Sequence, residues 1–244
     1  AVKHIESKDR IIMNFFAFSQ KTEKDKLKEA IGIENVNFLL DSGYAKTNGL
    51  YVIPDNYVLI PVFNKLIAVN TVLKTEKQQK NMMNLYIGED SMKLINFIST
   101  IKGGRILDMC AGPGTIGIAI SDYATKIDFV EINDNAINAL NFNLLINDIS
   151  LDKVNVYKSD MFKQLNERKY DYIVSNPPFV STPQDAVLPL CGDGGEDGLK
   201  YAKEIIFNAQ KYLNTNGKLF MVLEAVGNDN APFVVKLLTD NFQQ

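Results

Sequence analysis

An apolar run, YDYIVS (170–175), ends on Asn176, Pro177, Pro178 and Phe179. Asn176 carries a side-chain carbonyl that can accept hydrogen bonds, and the Pro177 carbonyl supplies a second acceptor. Proline fixes φ and lacks an N–H, so both acceptors are held stiffly and find few local donors. Two rigid acceptors side by side suit the two hydrogens of a planar NH2 group, whose lone pair then turns toward a reagent. Phe179 can lie over such a flat group, a stack worth about 1–3 kcal/mol for a base. Asn176, Pro177 and Phe179 are the candidate catalytic residues, with Pro178 and Phe179 set against the substrate. The competing account is an ordinary strand-ending turn.

A second constellation precedes the first. Gly112, Gly114 and Gly117 follow the apolar RILDM (105–109) in a G-x-G-x-x-G spacing, and Glu131 ends the next apolar run. On spacing alone these glycines could admit a dinucleotide pyrophosphate, with the acid on a ribose. Asp108, four residues before Gly112, would repel a pyrophosphate. The same carboxylate suits S-adenosylmethionine, which carries an ammonium and a sulfonium and no phosphate; one charge-assisted hydrogen bond contributes about 1.5–3 kcal/mol. Glu131 can accept from both ribose hydroxyls. Asp160 is placed to accept from an adenine amino group, with Met161 and Phe162 as apolar cover. Three acids, with no basic residue inside the glycine loop, favour a cationic cofactor.

The elements that must carry these residues alternate from about residue 100. Strands are expected at 105–109, 126–132, 154–160, 170–176 and 218–225. Helices are expected at 91–101, 115–124, 133–148 and 198–214, the last stopped by Gly217. This order predicts an α/β, doubly wound, mostly parallel sheet. In such sheets ligands bind beyond the carboxyl ends of the strands, where Asp108, Glu131, Asp160 and Asn176 all fall. Residues 1–80 read as a small mixed α/β substrate-recognition or accessory region, with a helix at 21–31 and β-type runs beginning at NFLL (37–40). Residues 81–244 form the expected catalytic domain.

Composition narrows the function classes. The chain has 244 residues, 46% hydrophobic and 23% charged, so it can bury a sizeable core, and no apolar run is long enough to span a bilayer. Its net charge of −3 argues against a broad phosphate-binding surface. The lysine-dense segment 21–30 alternates with acids and reads as a solvated helix face. The first ten residues are polar and carry no secretory signal, and the missing initial Met reads as trimming or excision. Two cysteines, Cys110 and Cys191, make no disulfide framework and fit a cytoplasmic location. His4 is the single histidine, so a histidine base or histidine-rich metal site is not expected.

Taken in order, ILDMCAGPGTIGIAI, VEIN, SDMF and SNPPF resemble a class I methyltransferase dependent on S-adenosylmethionine, of the Asn-Pro-Pro-Tyr/Phe subgroup. The stretch LCGDGGEDGLKYAKEIIFNAQKYLNTNGKLFMVLE is similar to the release-factor glutamine methyltransferases, and the likeness covers about residues 85–240. The resemblance implies a Rossmann-like fold and methyl transfer to an amide or amine nitrogen. It implies cofactor contacts from Asp108, Gly112, Gly114, Glu131, Asp160 and Asn176, with Cys110, Ala111, Ile132 and Met161 beside them. The acceptor would be a protein glutamine or a small amino or amide compound, with a nucleobase less favoured and no metal or membrane involved. Oligomeric state is left open. Asp193 and Glu196, in the turn-rich loop 181–199, are the expected substrate-facing acids, and Asp90 and Ser91 precede the helix that roofs the family's cofactor site. Because this family normally continues into a terminal strand hairpin, the sheet is expected to lack edge strands or to be completed from outside this chain. Rival readings are an RNA or DNA base methyltransferase, a dinucleotide-dependent oxidoreductase, and a non-catalytic cofactor-binding module.

Overall fold

A computed structural model describes residues 7–55, 57–70, 87–98, 101–166, 168–183, 185–186, 188–224 and 226–242. The chain divides into two compact units, Ala1–Pro61 with Leu66–Leu73, and Val62–Lys65 with Lys74–Gln244. The expected boundary at residue 80 and the terminal His4 lie outside the described residues.

The N-terminal unit holds helices α1 (Ser7–Phe16), α2 (Lys24–Ile31) and α3 (Ile33–Asp41). Strands β1 (Thr22–Glu23), β2 (Ala45–Thr47) and β3 (Tyr51–Pro54) form an antiparallel sheet in the order β1-β3-β2. Strands β4 (Tyr57–Val62) and β5 (Lys65–Asn70) pair with each other. Two expectations need correction. The NFLL run lies in α3, because Val36 and Leu39, three apart, are the positions it buries while Phe38 stays exposed. The helix expected from residue 21 begins at Lys24, since Thr22 and Glu23 pair with β3. Helix α1 had no counterpart in the sequence reading.

The second unit carries a five-stranded parallel sheet: β6 (Arg105–Met109), β7 (Lys126–Glu131), β8 (Val154–Lys158), β9 (Tyr170–Ser175) and β10 (Leu213–Met221). The order β10-β9-β6-β7-β8 reverses direction at β6, so the switch point lies between β6 and β9. Its helices are α4 (Glu89–Ile98), α5 (Thr115–Ala119), α6 (Asp134–Ile146), α7 (Lys200–Tyr212) and α8 (Phe233–Asn241). Strand residues alternate between faces. Leu107 and Met109 share a core with Ile205, Ala209 and Tyr212 of α7, which leaves Ile106 and Asp108 for the α5 layer.

Strand β10 starts directly after α7, earlier than expected, and Gly217 lies inside it. Between Leu213↔Tyr170 and Lys218↔Tyr172 the strand advances five residues against its partner's two, so three residues bulge out around Gly217. Helix α8, absent from the sequence reading, packs Val234 against Leu199, Ala202 and Ile206. Among the described residues no strand follows β10, and no helix is long and apolar enough to cross a membrane.

At the opposite end of the strands from the glycine loop, one buried carboxylate ties four strands together. Asp128 of β7 accepts from Arg105 Nη2 at 2.8 and 3.1 Å, Asn155 Nδ2 at 2.6 Å and Tyr170 Oη at 2.8 Å. Removing one partner of a buried ion pair leaves the other uncompensated. We therefore expect Asp128→Ala to destabilise the protein by about 3–5 kcal/mol in urea unfolding. A loss below about 1 kcal/mol, the scale of an exposed pair, would contradict this reading.

Candidate active site

Two carboxylates hold the glycine loop between β6 and α5. Glu131, at the end of β7, accepts the Gly112 N–H on Oε2 at 2.8 Å, and its Oε1 accepts the N–H groups of Ile132 and Asn133, each at 2.9 Å. Asp108 Oδ2 accepts the Gly117 N–H at 2.8 Å. A third tie comes from α6, where Asn143 Nδ2 donates to the Pro113 carbonyl at 2.8 Å. The Gly114 N–H donates to the Ala111 carbonyl at 2.9 Å, and Pro113 has no N–H. The donors that would bind a pyrophosphate are thus largely engaged by the chain itself, two of them by carboxylates.

Each glycine has a local reason. Gly112 and Gly114 adopt left-handed φ values of 56° and 82°, and a Cβ on Gly114 would lie 2.2 Å from Leu140. On Gly117 a Cβ would lie 2.4 Å from Phe129 and 2.9 Å from Asp108 Oδ2, so only glycine lets α5 settle onto that carboxylate.

Asp108 therefore differs from its expected position. It lies in the α5 layer with no exposed surface, beneath the loop, and does not face the crevice. A cation above the loop would interact with it through its field, without contact. Its Oδ1 has no partner among the described residues. Burial pushes its carboxyl up to about 7, opposed by the Gly117 hydrogen bond and reinforced by the Glu131 charge. Glu131 keeps only part of the capacity expected for a ribose, because three backbone donors already occupy it; an ionised carboxylate offers about four acceptor positions.

Two non-glycine residues in left-handed conformation face each other here. Cys110 (φ 59°) and Met161 (φ 50°) bring their sulfurs to 3.7 Å. Such backbone strain gathers at binding sites. Burial, then the charges of Glu131 and Asp108, hold the Cys110 thiol far above its ordinary range, so it is no thiolate nucleophile. Met161 and Phe162 are core residues, with Phe162 stacked on Tyr212 at 4.7 Å, and do not form an open apolar cover. Asp160 pairs with Lys163. Ile132, beside Glu131, is 45% exposed.

The corner after β9 lies across the switch point. Ser175 Oγ donates to the Met109 carbonyl of β6 at 2.7 Å, fixing where β9 ends. Asn176 Nδ2 donates to Asp90 Oδ2 at 3.0 Å and to Ser91 Oγ at 2.9 Å, both in the first turn of α4. Asn176 Oδ1 and the Pro177 carbonyl have no partner among the described residues. Phe179 is half-buried and its backbone is clamped by the downstream loop. A Cβ on Gly194 would lie 2.7 Å from Phe179 Cα, and one on Gly198 would lie 2.4 Å from the Phe179 carbonyl oxygen. The Gly-Gly-x-Asp-Gly-Leu run thus exists to let this loop close on Phe179. Val180 and Gly194 complete the clamp, with Val180 N–H on the Gly192 carbonyl and Gly194 N–H on the Val180 carbonyl, each at 2.9 Å.

Of the acids expected to meet substrate, Asp193 is tied into its own loop. Asp193 accepts the Gly195 N–H at 3.0 Å, and Asp197 accepts the Leu199 N–H at 3.0 Å and pairs with Lys203. Both shape the loop. Glu196 is exposed, and its carbonyl takes the Ser181 hydroxyl. The contact of Asp90 and Ser91 with Asn176 was not visible in the sequence beyond an acid and a hydroxyl opening a helix.

Residues 87–243, from the start of α4 to α8, match the family described as the methyltransferase small domain. The chain belongs to that family. Among curated relatives of this methyltransferase domain, a ribosomal protein uL3 glutamine methyltransferase of Francisella tularensis is 40% identical over 133 residues, 50% of this chain and 41% of its own length. A release factor glutamine methyltransferase of Thermodesulfovibrio yellowstonii is 35% identical over 130 residues, 49% of this chain and 46% of its own. The chain thus spans less than half the length of these relatives. A solved 16S rRNA N2 G1207 methyltransferase of T. thermophilus, in complex with AdoMet and guanosine, shares the fold at TM-score 0.53 and 17% identity, over 91% of this chain and 58% of its own.

The Asp108 carboxyl carries a pH signature. Its folded-state value, about 7, lies above the ordinary 3.8, so the folded protein holds a proton that the unfolded chain releases first. Stability contributed by this group is complete below pH 3.8 and is lost as pH rises toward 7. Asp108→Asn keeps an acceptor for Gly117 and removes the buried charge. We expect the variant to gain on the parent by an amount that grows across that window, on the order of a few kcal/mol at its upper end. Urea unfolding at several pH values measures the gap, and a pH-independent difference would refute it.

Proposed function

We propose that this chain is an S-adenosylmethionine-dependent N-methyltransferase acting on the side-chain amide of a protein glutamine. One observation carries the reading. Asn176 turns its NH2 into α4, so its carbonyl and that of Pro177 stand without partners among the described residues, across the switch point from a loop held by two carboxylates.

The residues present fit the cofactor. Glu131 Oε2, holding only Gly112, is the acceptor for a ribose hydroxyl. Ile132 covers the adenine, and Asp160 accepts from its amino group. The partly buried Cys110 and Gly112 line the loop, and Ala111 is fixed by its N–H on the Val130 carbonyl at 3.0 Å. Glu131, joined by Asp108 as pH rises past about 7, supplies a negative field that favours a sulfonium and an ammonium. When bound, the cofactor supplies an electrophilic methyl group.

The chain's own contribution is positioning. Asn176 Oδ1 and the Pro177 carbonyl accept the two hydrogens of the glutamine NH2 and aim its nitrogen, while Phe179 lies along the amide plane. Holding reactants in line accounts for much of a transfer rate without a general base, and no histidine is needed. The glutamine assignment draws on the two relatives above, each similar over about half of this chain. We place recognition of the acceptor protein in the N-terminal unit, where Phe18 and Leu50 are more than half exposed.

Incubation with labelled S-adenosylmethionine and glutamine-bearing peptides from a ribosomal protein and a release factor tests this reading. We expect transfer to one of them, and Asn176→Ala should lower kcat about a hundredfold or more while leaving S-adenosylhomocysteine binding intact. A nitrogen that has taken one methyl keeps a single N–H and satisfies only one acceptor, so mass spectrometry should show monomethylation alone. Transfer to RNA with none to peptide would overturn the acceptor, and undiminished transfer by Asn176→Ala would overturn the site.

A further inference from the structure

The contact between α4 and the catalytic corner implies more than helix capping. We propose that Asp90 and Ser91 are positioning residues for the transfer. They lock the Asn176 amide in the one orientation that presents its carbonyl to the acceptor nitrogen, and they strengthen that carbonyl as an acceptor. This rests on the methyltransferase reading above.

A primary amide has two nearly isosteric orientations, and only one of them puts Oδ1 toward a substrate. An ionised carboxylate has no hydrogen to donate, so Asp90 Oδ2, at 3.0 Å, pairs with the Asn176 NH2 and not with its carbonyl oxygen. The second amide hydrogen goes to Ser91 Oγ at 2.9 Å. Turning the amide over would set its oxygen against a carboxylate oxygen. The buried Ser91 hydroxyl can pair with either orientation, so the Asp90 carboxylate is the group that selects between them.

Capping explains one oxygen of Asp90 and no more. Its Oδ1 takes the Ser91 N–H at 2.8 Å, a first-turn donor with no partner within the helix. Its Oδ2 and the Ser91 hydroxyl are left for Asn176, which lies 86 and 85 residues away along the chain. Donating both N–H groups also polarises the amide, a cooperative gain of about 10–30% per hydrogen bond. The corner then offers acceptors only, which selects a nitrogen bearing two hydrogens over a hydroxyl or a fully substituted amine.

The test uses the full chain and the variants Asp90→Ala, Asp90→Asn, Ser91→Ala and Ser91→Thr. Three quantities are read: the rate of methyl transfer to a glutamine peptide, affinity for S-adenosylhomocysteine, and the side-chain NH2 resonances of Asn176 in 15N-labelled protein. We expect Asp90→Ala and Ser91→Ala to lower kcat by about 10- to 100-fold with peptide KM and S-adenosylhomocysteine affinity nearly unchanged, as a misplacement of a reacting group requires. Ser91→Thr, which keeps the hydroxyl, should restore most of the rate. The Asn176 NH2 protons should exchange faster and shift in both alanine variants.

Parental rates in the alanine variants would overturn the proposal, as would parental Asn176 resonances. A rate loss matched by equal loss of S-adenosylhomocysteine affinity would show a merely structural role and overturn it too. Should Asp90→Ala fail to fold, Asp90→Asn and Ser91→Ala decide. If the parent protein transfers no methyl to any glutamine peptide, the proposed function fails, while the Asn176 resonances still decide whether Asp90 and Ser91 hold the amide.

Discussion

Two carboxylates gripping the backbone of one glycine loop set the character of the whole site. Glycine loops at strand-to-helix turns usually turn their N–H groups toward a bound anion. Here Gly112 gives its N–H to Glu131 and Gly117 gives its N–H to Asp108, both at 2.8 Å. The anion seat is thus filled by the protein itself. What remains above the loop is negative, half-exposed and edged by Ile132, which suits a positively charged ligand with a flat apolar part. The cost is borne in the core, where Asp108 is buried with one oxygen unpartnered among the described residues.

Across the switch point, the corner after β9 is made rigid by three independent devices. Prolines fix its backbone, Asp90 and Ser91 take both hydrogens of the Asn176 amide, and the glycines at 194 and 198 let the following loop close on Phe179. Each device removes a freedom that would blur where the two carbonyls point. The site is therefore preorganised from α4, β9 and the 192–198 loop together, elements far apart in sequence.

The sheet and the strand-end positions of Asp108, Glu131, Asp160 and Asn176 were legible because parallel strands read as apolar runs closed by glycine, acid or asparagine. What the side chains do there was less legible. Asp108 was expected in the crevice, yet strand alternation sends it to the α5 layer together with Ile106, since Leu107 and Met109 face α7. Asp193, expected to face substrate, is held by its own loop, as is Asp197, because short acids beside glycines satisfy nearby N–H groups first. NFLL misled because a four-residue apolar run fits either a strand or one face of a helix. The link from Asp90 and Ser91 to Asn176 spans more than eighty residues, which no local pattern encodes.

The central claim is that the loop's own carboxylates exclude a phosphate-bearing cofactor and admit a cationic sulfur compound or its thioether product. Calorimetric titration of the chain with S-adenosylhomocysteine and, separately, with NADH tests this most directly. The account predicts saturable heat with S-adenosylhomocysteine and none with NADH. Saturable binding of NADH, with silence toward S-adenosylhomocysteine, would contradict it.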